Sequence, residues 1–452
     1  MADNPLRIFM YPWFAMGHLT PYLHIANKLA ERGHQIFLVV PTKTQSKLEH
    51  FNLYPELIKF IPLAIPSVEG LPPDVETSAD IPFTLQGLFR HALDLTQPTI
   101  ESSLHELKPH LVFFDFMHWL PSLARRLGIK SIHYCIISPA AFGFLSREEP
   151  TVEAFMEAPP GFPSRFKLYK HAARQLSGVE SGKEMGSGLK FKQRLLISAS
   201  ECDAFGFKSC REMEGPYCEY LENKYKKPVL LAGPVVPKPP TSSIDDQWFK
   251  WLDKFESKNV IFCAFGSEAR LKKEQFEELI LGFELTGLPF LAALKPPIGV
   301  ETIEEALPQG FKERTGERGS VHGGWVQQQY ILSHPSVGCF VTHCGWGSLS
   351  EAMVNECQLV MVPHAGDQFN NARIMGGDFK IGVEVEKGDE NGLFTKEGVH
   401  KAIMSVMDDS CETAKEVRAN HAKWREFLLS KGLVDSYVDG FVQKLLTLVG
   451  KC

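Results

Sequence analysis

Four short stretches place chemically useful side chains at the ends of apolar runs. His18 stands in Trp13-Phe14-Ala15-Met16-Gly17-His18-Leu19-Thr20-Pro21, after the run Arg7–Pro12 and ahead of a helical pattern. Transfer of a group to a hydroxyl needs that hydroxyl deprotonated as it attacks, and a neutral imidazole suits this near neutral pH. A histidine at this place also serves simply as a cap or a surface residue. Asp115 lies near the end of His110–Phe116 (HLVFFDF). A carboxylate leaving a buried strand must find a partner: an imidazole, whose tautomer it would fix, or the start of the next helix, which it would cap. Thr342-His343-Cys344-Gly345-Trp346-Gly347-Ser348 falls between a strand-like run and a helix, and Phe265-Gly266-Ser267 follows the run Val260–Ala264. Glycines let a backbone approach a phosphate, Ser348 adds a hydroxyl, and His343 can donate to a phosphate oxygen. A tight strand–helix turn would use the same glycines. As a dinucleotide fingerprint the stretch is poor, because Ser350 holds the third glycine position and the segment comes late in the chain.

The elements that must position these side chains alternate in type. Arg7–Pro12 reads as a strand, Leu19–Arg32 as a helix capped by Thr20, with Pro21 in its first turn and Gly33 stopping it, and His34–Pro41 as a second strand. The pattern recurs in His110–Phe116, a helix near Ser122–Leu127 and Ser131–Ile137. After Pro234–Ser243, a stiff Pro-rich stretch that reads as a linker, it restarts. The strands there are Val260–Ala264, Pro289–Leu294, Val337–Thr342 and Gln358–Pro363. The helices are Lys273–Thr286, one from Ser348, one from Gln368, and Ser436–Val449. Such alternation implies parallel sheets covered by helices on both faces. The fold expected is therefore α/β, with two doubly wound Rossmann-like domains facing a cleft: residues 1–233, a linker over 234–245, and 246–452, with the last helix able to pack back on the first domain. A length of 452 residues agrees with two cores.

From Trp325 to Gln368 the sequence runs Trp-Val-Gln-Gln, then His-Cys-Gly-Trp-Gly-Ser, then Glu351, and closes on Val-Pro-His-Ala-Gly-Asp-Gln. This segment resembles, at full length and spacing, the donor-binding signature of plant secondary-product UDP-glycosyltransferases, and the resemblance extends over essentially the whole chain. It implies the two-domain GT-B fold and metal-independent, inverting transfer of a sugar from a UDP-sugar co-substrate to a small apolar acceptor. By position, it implies that Trp325 stacks on uracil, Gln328 lies beside the nucleoside and Glu351 takes the ribose hydroxyls. His343 and Ser348 would hold the diphosphate, with Ser267 assisting, while Asp367 and Gln368 would bond the donor sugar and Trp346 line its pocket. His18 and Asp115 match the family's base and its orienting carboxylate. Two positions depart from the common pattern: Gln327 replaces a proline, and Gly347 replaces an asparagine near the diphosphate. The stretch Met10–His34, with Ser78-Ala79-Asp80-Ile81-Pro82, is similar to the branch that extends sugars already attached to flavonoids or terpenoids with glucose, rhamnose or xylose. An enzyme acting directly on an aglycone and a catalytically silent nucleotide-sugar binder are the competing readings. Phe14, Phe116, Trp119, Phe142 and Phe144 are candidate acceptor contacts, although aromatics of this kind also build cores.

Composition narrows the classes further. The net charge is -6 with acids and bases mixed, so no basic face for nucleic acid is expected. The N-terminal residues run straight into a strand, and no long uncharged apolar stretch follows. A cytoplasmic monomer without leader or membrane span is expected. The ten cysteines form no CxxC pair, which fits reduced core thiols. Cys339, His343 and Cys344 lack a second ligand pair and no Asp-x-Asp motif occurs, so no metal is expected.

Overall fold

The computed structural model describes residues 5–181, 188–234 and 245–451. Most of the expected linker, 235–244, lies outside them. Among the described residues, thirteen strands form two all-parallel sheets. The first contains β1 (Arg7–Tyr11), β2 (Gln35–Pro41), β3 (Ile58–Leu63), β4 (Leu111–Phe114), β5 (Lys130–Cys135), β6 (Ala204–Phe207) and β7 (Val229–Leu231), in the order β3-β2-β1-β4-β5-β6-β7. The second contains β8 (Val260–Ala264), β9 (Phe290–Ala293), β10 (Gly319–His322), β11 (Val337–Thr342), β12 (Gln358–Met361) and β13 (Gly382–Glu384), in the order β10-β9-β8-β11-β12-β13.

Central strands are apolar throughout because helices cover both faces. Along β8, Val260, Phe262 and Ala264 join one core while Ile261 and Cys263 join the core on the opposite face. Both sets are buried, so the period of two is hidden in the sequence. β3 is an edge strand with exposed Lys59 and Pro62, where a proline removes no donor that the sheet needs. The last helix, Leu433–Leu448, inserts Val438, Phe441, Val442 and Leu445 into the core of the first sheet. Arg32 Nε donates to Asp439 at 2.5 Å beside it.

Chain order within each sheet decides where a site can form. The strands run outward from β1 to β3 on one side and from β4 to β7 on the other. The segments leaving β1 and β4 therefore diverge and open a crevice at the strands' C-terminal ends. The second sheet has the same switch between β8 and β11. Register places Tyr11 beside Phe114 in the first sheet and Ala264 beside Thr342 in the second. His18 thus meets Asp115 at one crevice, and the turn at Gly266 meets His343 at the other.

One boundary needs correction. The helix expected over Leu19–Arg32 spans Met16–Ala30, with Ala15 as N-cap, and Thr20 caps nothing. Pro21 lies one turn inside, and Gly33, at φ 82°, follows the end. His18 is accordingly a first-turn helical residue, held by the helix itself and not by a mobile loop. The nine described cysteines are all free, and eight are buried. Among the described residues, no helix is long and apolar enough to cross a membrane.

Candidate active site

The first crevice carries a connected pair. Asp115 is 3% exposed, and both of its oxygens are engaged. Oδ1 accepts from the Trp13 N–H at 2.7 Å and the Phe116 N–H at 2.6 Å. Oδ2 lies 2.6 Å from His18 Nδ1. With the carboxylate ionised, the proton shared with His18 sits on Nδ1, which leaves the Nε2 lone pair free. The His18 side chain is 15% exposed, and among the described residues Nε2 has no protein partner. Phe116 packs against the imidazole with ring centres 5.4 Å apart.

Four other histidines of the first domain are occupied differently. His34 Nδ1 accepts from the Leu6 N–H at 3.1 Å. His118 Nδ1 lies 3.2 Å from Arg194 Nη1. His133 is buried against Phe114, and burial lowers it to about 4. His24 is lowered to about 3, by burial first and then by the Lys208 ammonium.

At the second crevice, β11 ends in Thr342 and the chain turns through Cys344 at φ 69° into the helix Trp346–Met353. Burial lowers His343 to about 4, against the Ala264 carbonyl, so at neutral pH it is an uncharged imidazole. Its ring fits only because two neighbours are glycines. A Cβ on Gly345 would stand 2.7 Å from His343 Nε2, and one on Gly266, itself at φ 71°, would stand 3.1 Å away. Gly347 is unlike both, since a Cβ there meets nothing within 4 Å. The missing asparagine side chain leaves open space. Ser267 is exposed on the turn after β8.

Glu351 and Ser348 share the helix Trp346–Met353 and meet the preceding segment. Gln328 Nε2 donates to Glu351 Oε2 at 2.7 Å and to Ser348 Oγ at 3.2 Å, and Gln329 Nε2 donates to Glu351 Oε1 at 3.1 Å. Trp325 projects from this group with 77% of its surface exposed. Gln327 accepts the Asp245 N–H at 2.6 Å, so this departure from the common pattern anchors the entry into the helix Asp246–Leu252.

Asp367 and Gln368 stand at the start of the helix Gln368–Arg373. Gln368 Oε1 accepts from the His364 and Ala365 N–H groups at 2.9 and 3.0 Å, which leaves its amide nitrogen to donate. Asp367 Oδ2 accepts from Asn371 Nδ2 at 2.8 Å. Burial pushes the Asp367 carboxyl up to about 6, against Asn371, its own backbone N–H and the charge of His18 across the cleft. His18 thus lies within electrostatic reach of Asp367 across the cleft. Ser78 closes one edge of the cleft: its N–H donates to the Phe14 carbonyl at 2.8 Å and its Oγ to Glu268 Oε1 at 2.5 Å.

Sequence reasoning passed over three residues that shape this region. Asn371 also donates to the Cys344 carbonyl at 3.0 Å, tying Asp367 to the turn after β11. Its spacing of four from Asp367 on a helix was the available signal. Gln329 supports Glu351 and is contiguous with Gln328. Lys208, just after β6, is 7% exposed, and its carbonyl accepts the Trp346 Nε1–H at 3.2 Å. Burial lowers its ammonium to about 8, and the Glu351 carboxylate raises it. β6 was missed in the sequence, and Lys208 was missed with it.

A family model described as UDP-glucoronosyl and UDP-glucosyl transferase matches residues 309–418. A cyanidin 3-O-galactoside 2''-O-xylosyltransferase of Actinidia chinensis var. chinensis is 56% identical, over 100% of both chains. The chain belongs to this transferase family. An anthocyanidin 3-O-glucoside 2''-O-glucosyltransferase of Ipomoea nil is 52% identical over 98% of each chain, and an anthocyanidin 3-O-glucoside 2'''-O-xylosyltransferase of Arabidopsis thaliana is 45% identical over 99% of this chain and 98% of that one. Glycyrrhiza uralensis UGT73P12, solved with glycyrrhetinic acid 3-O-monoglucuronide, superposes with a TM-score of 0.81 at 22% identity, covering 98% of this chain and 96% of that one. TcCGT1, solved with UDP, gives 0.81 at 20% identity over 99% and 100%. The two facing sheets of the transferase form the GT-B fold.

Much of the expected acceptor wall is core. Phe14 and Phe144 are 0% exposed, and Phe142 is 1% exposed. Phe142 packs among His133, Phe205 and Phe207, so the side chain has no face to offer an acceptor. Trp119, 9% exposed, leans edge-on against Tyr11. Of the candidate acceptor residues only Phe116 is partly open, and it adjoins Phe191, also partly open, at 5.3 Å. The Trp346 ring is 7% exposed and its N–H is held by the Lys208 carbonyl, which leaves an apolar edge to line a sugar pocket.

Proposed function

We propose that this transferase moves a sugar from a UDP-sugar onto a hydroxyl of the sugar already carried by a small aromatic glycoside. The observation that carries the reading is the His18–Asp115 pair facing Asp367 across the cleft, in a chain whose full-length relatives include enzymes named for extending anthocyanidin 3-O-glycosides. Trp325 stacks on the uracil, Gln328 lies beside the nucleoside, and Glu351 exchanges its glutamine partners for the ribose hydroxyls. Ser348, Ser267, uncharged His343 and the backbone at Gly347 hold the diphosphate, aided by the N-terminus of the helix Trp346–Met353. Asp367 accepts from the hydroxyls of the donor sugar, Gln368 donates to them, and the apolar edge of Trp346 closes that pocket. His18 Nε2 takes the acceptor's proton as its oxygen bonds to the anomeric carbon, and the bond to UDP breaks on the opposite face. One displacement inverts the centre. Asp115 holds the imidazolium that forms, and no metal takes part.

The deciding experiment pairs an aglycone with its 3-O-glucoside under one donor. The glucoside should show the higher kcat/KM, because polar groups placed for sugar hydroxyls stay unpaired over a bare aglycone. Faster reaction of the aglycone, with the glucoside nearly inert, would sink the sugar-extending reading and leave a direct aglycone transferase. Absence of UDP release with either would point to a silent binder.

Asp367 gives a pH dependence. Its folded value is raised above the ordinary carboxylate range to about 6. The folded chain therefore binds this proton more tightly than the unfolded chain, and stability falls as pH rises between those values. Donor binding has the opposite sign, because the ionised form accepts the sugar hydroxyls. KM for the UDP-sugar should rise below about pH 6, by at most about tenfold per unit of pH. Asp367→Asn should flatten that limb, and an unchanged profile in the variant would place the titration elsewhere.

A further inference from the structure

The wall beside His18 continues into a cation. His18 packs on Phe116 at 5.4 Å and Phe116 on Phe191 at 5.3 Å, and the Arg90 guanidinium sits 5.7 Å from the centre of the Phe191 ring. All four residues are partly exposed, unlike the core aromatics behind them. Arg90 projects from the helix Gln86–Asp94, whose Phe89 is buried against Trp13 at 5.2 Å. The guanidinium is thus held on the same side of the crevice as the base.

Among the described residues, no acid is hydrogen-bonded to it. The nearest acid is Asp94, but both carboxylate oxygens of Asp94 are taken by Arg194, at 2.9 Å to Nη1 and 2.5 Å to Nη2. His118, 3.7 Å from Asp94, is lowered by burial and by Arg194, so it carries no charge at neutral pH. Among the described residues, Asp94 is the acid that acts on both arginines, and Arg194 holds its oxygens. Among the described residues, no group accepts a hydrogen bond from Arg90. Burial and the Arg194 charge lower Arg90 to about 10, with Asp94 opposing, and it stays a cation at neutral pH. A half-buried guanidinium with five donors and no acceptor is costly for an apo protein to keep. A ligand oxygen bearing negative charge would satisfy it.

We infer that Arg90 is an acceptor-specificity residue, which binds an ionised phenol at the end of the aglycone remote from the reacting sugar. The planar aglycone lies along Phe116 and Phe191, its attached sugar presents a hydroxyl to His18, and its far oxygen reaches the guanidinium. This arrangement rests on the sugar-extending reading for the group at His18, but the role of Arg90 concerns only the opposite end of the acceptor.

The test uses the full-length enzyme and two matched glycosides, one with a free acidic phenol on the ring remote from the sugar and one with that phenol methylated. Across the pH range in which the phenol ionises, the wild type should come to prefer the free phenol by on the order of tenfold in kcat/KM, the usual scale for a charge-assisted hydrogen bond. Arg90→Gln should bring that ratio close to one, through KM for the free phenol, while KM for the UDP-sugar stays put. Arg90→Lys, which keeps the charge but not the fork, should retain part of the preference. A wild type without preference, or a ratio that survives Arg90→Gln, overturns the assignment. A variant that loses both acceptors equally would assign Arg90 to the fold instead, and this too overturns it. Running the corresponding aglycone pair in parallel separates the two readings. If only aglycones react, the sugar-extending reading fails while the ratio still reports on Arg90.

Discussion

His18→Ala should lower sugar transfer by about 10²–10⁴-fold, the usual cost of losing a general base, and leave UDP affinity unchanged. The separation follows from the topology. His18 belongs to the helix after β1, whereas Trp325, Gln328, His343, Ser348 and Glu351 all belong to the second sheet and its loops. Removing the imidazole takes nothing from the nucleotide's surroundings. The fold should tolerate the change, because Asp115 Oδ1 keeps both of its backbone donors and Oδ2 can turn to water in the space left open. A UDP-release assay reads the rate and calorimetry reads the affinity. Turnover near that of the wild type would remove His18 from the mechanism. A parallel loss of UDP binding would mean that the substitution disturbed the cleft as a whole.

How much of this site the sequence disclosed depends on the kind of residue. His18, Asp115 and His343 could be singled out by side-chain type at the end of a strand, whereas Glu351 was picked out by the resemblance of its segment to the family's donor-binding signature. The central strands β1, β4, β8 and β11 were equally plain, being unbroken apolar runs. The strands β3, β6, β7, β10 and β13 were not. They are three to six residues long, and β6 carries Gly206 where a Cβ would stand 2.7 Å from the Tyr134 ring. A glycine demanded by close packing reads locally as a strand breaker. Missing β6 concealed Lys208, and with it the contact that joins the first sheet to Trp346. The acceptor wall was the least legible part. Phe14 and Phe142 have the composition of a ligand wall and the burial of a core, and nothing local to either residue distinguishes the two. Arg90 escaped notice because its meaning comes from what is absent around it. Only the pairing of Asp94 with Arg194, a hundred residues apart, shows that the nearest acid is taken.

Asp115→Asn should come close to the loss expected for His18→Ala, about 10²–10⁴-fold, although the fold is kept. The asparagine oxygen can still accept from the Trp13 and Phe116 N–H groups, which holds the loop after β4 in place. Its amide nitrogen then faces His18 Nδ1, where the carboxylate oxygen stood at 2.6 Å. A donor there requires Nδ1 to accept, so the imidazole's proton moves to Nε2 and occupies the lone pair that should take the acceptor's proton. The charge that would stabilise the imidazolium is also gone. Asp115→Ala separates this effect from plain loss of structure. It leaves two buried N–H groups without their acceptor, at a cost of roughly 1–3 kcal/mol each, whereas the asparagine variant should unfold close to the wild-type temperature. Rates are read by UDP release and stability by thermal unfolding. Wild-type activity in Asp115→Asn would make the carboxylate only a cap for its loop. A melting temperature as low as that of Asp115→Ala would attribute the loss to the fold and not to the tautomer.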